Sequence, residues 1–246
     1  MRERWIFEPD FPDRVRLECI FFKRMGYRDT TVVPPQIIKH ARSALNISIE
    51  LAKPKAIVQL SEVLAITENT IHGEGISIES QLWAGLASRA VLPLRLAVFA
   101  MTLGKALSDE AVNTKKSSLS KAYFIHEAGS QIIEQAANQL EEMIQAIPSV
   151  QSLIRSRRFS PGYCDISLSN QKSFFHLLSP EEIGIRMSAS YGMTPEKSIT
   201  AALLFSEKLP SSSPCRDCQN DVCTNRREKR QWTTCGSPSR ISSQFC

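Results

Sequence analysis

One stretch governs what this chain can fold into. Ile125, Ala128, Ile132, Ala136, Leu140, Met143 and Ile147 recur at steps of three or four residues, the spacing that aligns side chains on one face of a helix. The pattern predicts a single long helix over residues 120–146, ended by Pro148. Upstream, residues 92–101 form a nearly continuous apolar run that stops at Thr102-Leu103-Gly104. Its length suits a strand buried on both faces better than a helix.

Weaker signals fill in the rest. Pro34-Pro35 opens a predicted helix to about residue 51, with Ile37, Ile38, Ala41, Ala44, Leu45 and Ile49 as its apolar face and Pro54 closing it. Residues 55–66 are rich in β-branched and aliphatic side chains and read as a strand, although 60–64 also suit a helix. Short strands are predicted at 76–78, 183–188 and 198–205, and short helices at 79–86, 105–112, 170–178 and from Ser179 onward. Strands and long helices without regular βαβ alternation argue an α+β fold. Three segments follow: a lead-in over 1–33, a main domain over 34–210, and a Cys-rich, basic tail over 211–246 that begins at the linker Ser211-Ser212-Ser213-Pro214.

Composition bounds the function. With 42% hydrophobic and 22% charged residues the chain is of globular type. It has no run of about 18 apolar residues that would span a bilayer and no long apolar stretch of the signal-peptide kind at its start, so a cytoplasmic setting is expected. The net charge is +5, but within residues 225–246 Arg226, Arg227, Lys229, Arg230 and Arg240 face Glu228 alone, so that stretch holds four of those charges. A nucleic-acid-binding body would carry its excess across a folded face; this one is nearly neutral, and nucleic acid is not an expected partner. The basic block reads as a solvated tail or as a contact for an acidic partner such as a flavodoxin.

Two constellations could carry chemistry. In Arg158-Phe159-Ser160-Pro161-Gly162-Tyr163, a guanidinium fork can hold a carboxylate and a Pro-Gly bend lets main chain approach a ligand. The same residues also read as a β-turn with a surface arginine and a packed tyrosine. In the tail, Cys215, Cys218 and Cys223 are spaced for a common metal, with Cys235 available as a fourth ligand; zinc and an iron–sulfur cluster both accept sulfur ligands. A tail of free thiols is the alternative. The four histidines lie scattered without metal or triad spacing, and the sequence shows no convincing nucleophile.

The strings Arg158–Gln171, Ile183-Gly184-Ile185 and Met193-Thr194-Pro195-Glu196-Lys197-Ser198-Ile199-Thr200, with Thr102-Leu103-Gly104 and Ala128–Glu134 before them, resemble the S-adenosylmethionine-binding activation (reactivation) domain of cobalamin-dependent methionine synthase, most of all its stand-alone branch. That resemblance implies a twisted, mostly antiparallel sheet with long helices. It further implies an accessory module that binds S-adenosylmethionine and supports reductive remethylation of cobalamin held by methionine synthase or another corrinoid protein, with flavodoxin or ferredoxin as electron donor. By the same resemblance Arg158 would meet the ligand carboxylate, and Gly162 and Tyr163 would shape the place where the methyl group faces cobalamin. Leu203 and Leu204 fall where the family has a Tyr-Phe pair touching the ligand, without the hydroxyl. Glu134 is a further candidate carboxylate, for the site or its cobalamin side. The competing expectation is a redox or scaffold protein of a corrinoid methyltransferase system, in which the cysteine segment is the active part and the ligand site has decayed.

Overall fold

The computed structural model describes residues 2–10, 14–25 and 33–210. The chain runs β1 (Glu3–Phe7), α1 (Arg14–Arg24), α2 (Pro35–Leu51), β2 (Lys55–Ile66), β3 (Thr70–Gly73), β4 (Ile76–Glu79), α3 (Gln81–Ala87), β5 (Arg95–Thr102), α4 (Lys105–Lys115), α5 (Leu119–Gln145), β6 (Ile154–Arg155), α6 (Gln171–Leu178), β7 (Arg186–Met187), β8 (Met193–Thr194) and β9 (Ser198–Ser206). The predicted long helix is α5, begun at Ser118, whose side chain accepts from Lys121 N–H, a standard way to satisfy a free donor of the first turn. After Pro148 the chain folds back, and Gln145 Nε2 donates to Val150 O at 2.9 Å and Leu153 O at 3.0 Å to fix that return.

Strands β4-β3-β2-β5-β9-β6 form one curled sheet in that order, and β1 pairs with β2 beside it; every pairing is antiparallel. The middle of this sheet is covered on both sides, as the apolar run in β5 predicts. Ala56, Val58, Leu60, Ala97, Phe99, Met101, Ala201, Leu203 and Phe205 point into a core shared with α1, α2, α4 and α5. The alternate residues Ile57, Leu96, Val98, Ala100, Ala202 and Leu204 point into a second core with Trp83 of α3 and Phe174 of α6. Period-two alternation with two apolar faces requires this arrangement.

Three expectations need correction. The lead-in 1–33 is not set apart from the domain: β1 adds a strand along β2, and Leu17, Phe21 and Phe22 of α1 are buried in the helix-side core. The predicted strand at 92–101 begins only at Arg95, because Pro93 has no N–H to give a ladder. The predicted strand at 183–188 is mostly absent: Pro180–Ile183 is a 3-10 turn, and only Arg186–Met187 pairs, with β8 in a small hairpin. Among the described residues no helix is long and apolar enough to cross a membrane. The candidate metal ligands Cys215, Cys218, Cys223 and Cys235, like the rest of the tail, lie outside the described residues.

Candidate functional site

The chain leaves β6 and bridges to β9 at Phe159 and Ala202, so Phe159 and the residue before it project to opposite faces of the sheet. Phe159 enters the second core and packs on Trp83, ring centroids 5.1 Å apart. Arg158 goes the other way, to α5.

There the guanidinium is enclosed. Its Nη1 donates to Glu141 Oε1 and, at 2.9 Å, to Asn138 Oδ1; its Nη2 donates to Glu134 Oε2. The side chain keeps 5% of its surface, against 10% for Glu141 and 41% for Glu134. Burial disfavours the charge on Arg158, but Glu141 and Glu134 together outweigh that, and its pKa rises above the ordinary arginine value. Beside it, Arg155 Nη2 lies 3.4 Å from Glu141 Oε2 and 2.9 Å from Glu142 Oε1. Glu134, Asn138 and Glu141 stand at i, i+4 and i+7 on α5, which is how one helix offers three polar groups to one arginine.

Beyond Phe159 the loop bends at Gly162, which has φ +90°. An L-residue is strained there, and a Cβ would sit 3.3 Å from Leu168 Cδ1. Tyr163 follows, 48% exposed. Asp165 anchors the loop's far end by accepting from Ser80 Oγ at 2.6 Å and from Leu82 N–H at 2.9 Å, both at the start of α3, where a carboxylate is favoured.

A third group lies further along α5. Lys197, buried just before β9, donates to Ser130 Oγ at 3.0 Å and lies 3.2 Å from His126 Nδ1; His126 Nδ1 is in turn 3.2 Å from Glu196 Oε1. Gly129 makes this possible, since a Cβ there would come within 3.1 Å of Lys197 Cε and 3.0 Å of Leu107 Cδ2. The main chain joins in: Leu103 N–H donates to Lys197 O at 3.0 Å, and Ser198 Oγ donates to Thr102 Oγ1 at 2.9 Å. Three strings far apart in sequence thus meet here. Burial lowers the Lys197 pKa, partly offset by Glu196 and Glu127. The unfolded chain then binds this proton in a pH range where the folded chain has released it, so this lysine's contribution to stability increases as pH rises from its folded value toward that of a free lysine. Lys197→Met is expected to flatten that rise in urea titrations carried up toward the free-lysine range; an unchanged slope would contradict it.

Of the residues singled out from sequence, the structure brings Arg158 and Glu134 into contact and sets Gly162 and Tyr163 on one exposed loop four residues on. Leu203 and Leu204 are not brought to any surface: both are fully buried, one in each core, so neither side chain can touch a ligand in this fold. Arg158, whose fork the resemblance expects to face a ligand carboxylate, donates here to Glu134, Asn138 and Glu141 of the chain itself. Sequence reasoning missed Asn138, Glu141, Asp165 and the Lys197 group. The i, i+4, i+7 polar spacing on the long helix was a usable signal for the first two.

No protein-family profile matches this chain, and no curated protein matches it in sequence. Solved structures do. A crystal structure of the MetH reactivation domain bound to AdoHcy superposes with a TM-score of 0.57 over 86% of this chain and 80% of that one, at 15% identity. The two share a fold. At that identity the likeness shows the fold alone.

Proposed function

We propose that this chain is a binding module for an S-adenosylmethionine-type ligand, acting as an accessory component in the reductive remethylation of cobalamin on a partner protein. The observation that carries the reading is the shared fold with a domain described as bound to AdoHcy, over most of both chains. The loop chemistry fits in part. The left-handed bend at Gly162 leaves main chain open to close approach, and Tyr163 offers a half-exposed ring and hydroxyl beside it. The ligands supply the hard chemistry: a sulfonium methyl group moves to cobalt that has taken up one electron, and S-adenosylhomocysteine remains. The protein's task is to hold one reactant against the other. The cobalamin would come on a methionine synthase or a related corrinoid protein, and the electron from a flavodoxin or ferredoxin.

Calorimetry of the full chain with S-adenosylmethionine is expected to give saturable binding. Gly162→Val forces a β-branched side chain into a positive-φ position against Leu168, and should weaken that binding by roughly tenfold or more as the loop shifts. A folded wild-type protein that gives no heat with millimolar ligand would end the proposal.

A further inference from the structure

We propose that the turn joining α4 to α5 is a docking face for an acidic partner protein, presented by Lys115, Lys116 and Lys121 around an apolar step made by Leu119 and Tyr123. This goes beyond the ligand reading and does not depend on it. Between Glu110 and Glu127 the chain carries these three lysines and no carboxylate. Among the described residues none of the three is in an ion pair. Lys105, at the other end of α4, by contrast meets Asp109 at 2.8 Å. The flanking carboxylates are engaged elsewhere: Glu110 accepts from Thr114 Oγ1 at 3.0 Å, and Glu127 acts on Lys197.

Local helix chemistry does not account for this set. Lys115 suits the C-terminal end of α4, where free carbonyl groups attract a cation. Lys121 does not: it stands in the first turn of α5, which holds no acidic residue, and a positive charge there opposes the helix dipole. Leu119 and Tyr123 lie one turn apart on one face of α5, 69% and 52% exposed, while the neighbouring Phe124 turns inward onto Phe21. The turn is closed by its own hydrogen bonds. Ser117 and Ser118 N–H both donate to Thr114 O, at 3.1 and 2.8 Å, and Ser118 Oγ accepts from Lys121 N–H, so presenting this surface costs little ordering. Unpaired lysines beside an exposed leucine and tyrosine complement a protein face whose carboxylates ring an apolar centre. Nucleic-acid phosphates would meet the lysines and leave Leu119 without a counterpart, and attachment to an anionic bilayer takes a longer amphipathic face.

Fluorescence anisotropy with a labelled copolymer of glutamate and tyrosine tests this on the full chain, with Arg226, Arg227, Lys229 and Arg230 replaced by glutamine so that the tail does not take up the probe. Saturable binding that weakens as salt is raised is expected. Lys115→Glu, Lys116→Glu and Lys121→Glu together should weaken it about tenfold or more, and Leu119→Ser with Tyr123→Ser about fivefold. These side chains lie at the surface, so urea midpoints should hold, and Lys121→Glu alone should raise its own slightly by suiting the helix dipole. The proposal is overturned if the copolymer does not bind, if the triple charge reversal changes its affinity less than about twofold, or if the Leu119 and Tyr123 replacements leave that affinity unchanged. A single-stranded oligonucleotide or phosphatidylserine vesicles that bind as tightly as the copolymer, with the same losses, overturn it too, since the lysines would then be a general anion patch.

Discussion

Replacing Arg158 with alanine is expected to lower folding stability by about 3–5 kcal/mol, the range for breaking a buried ion pair by removing one partner. The effect comes less from the lost attraction than from what remains. Glu141, with 10% of its side chain exposed, would keep a charge from which the guanidinium had been removed, and Asn138 would lose a donor. Arg155 lies 3.4 Å from the other Glu141 oxygen and offsets part of this. Urea unfolding measures the loss directly. Arg158→Met combined with Glu134→Gln and Glu141→Gln removes the guanidinium together with the two carboxylates it holds, leaving Arg155 on Glu142, and should recover most of the stability, because buried ion pairs replaced by neutral groups of similar volume are often no less stable. A single-variant loss under about 1 kcal/mol would show that the cage is not energetically closed. The expected result also bears on how ligand binding is tested: in Arg158→Ala, lost binding and lost structure arrive together, whereas Glu134→Gln keeps an amide oxygen to accept from Arg158 and leaves its contact with Glu141 in place.

Much of the fold was legible because it follows from periodicity and punctuation. The apolar stripe on α5 has few alternatives over 27 residues, and the run ending at Thr102 could be covered only from both faces. Pro34-Pro35 and Pro148 marked helix ends by backbone chemistry that does not depend on the fold. What was not legible depends on partners distant in sequence. β1 alternates half-buried and exposed residues over five positions, and only β2 alongside makes it a strand. The short strand at Arg186–Met187 looked longer because Ile183 and Ile185 are apolar, but one closes a 3-10 turn and the other is buried in the second core.

The candidate site divides along the same line. Gly162 and Tyr163 were visible as a bend because proline and glycine write turns locally. Whether Arg158 faces solvent, ligand or protein was not a local matter, since its partners lie 17 to 24 residues away on a helix. Leu203 and Leu204 show the opposite failure. Correspondence by position put them at a ligand, but they sit at the centre of a strand whose two faces are both core. In a strand covered on both sides, neither parity of residue reaches a surface.

Trp83→Ala should cost about 3–5 kcal/mol, the range for truncating a large buried aromatic, and should carry the candidate loop with it. Trp83 is fully buried and is among the largest such side chains in the protein. It belongs to the short helix α3, whose first turn is held by Ser80, the acceptor for Trp83 N–H at 2.9 Å, and by Asp165 from the loop. Its indole packs on Phe159, so the loop from Phe159 to Asp165 is fastened to this helix at both ends. Removing the indole leaves a cavity under the first anchor, so any ligand affinity should fall along with stability. Trp83→Phe is the informative companion. The indole Nε1 has no hydrogen-bond partner among the described residues, so losing that donor breaks no bond, and the smaller ring still supports Phe159; a cost of about 1–2 kcal/mol is expected from lost volume alone. Urea midpoints for both variants, read beside calorimetry with S-adenosylmethionine, test the coupling. If Trp83→Ala lowers stability yet leaves ligand affinity intact, the loop is held by Asp165 alone, and the packing of Phe159 has no part in shaping the site.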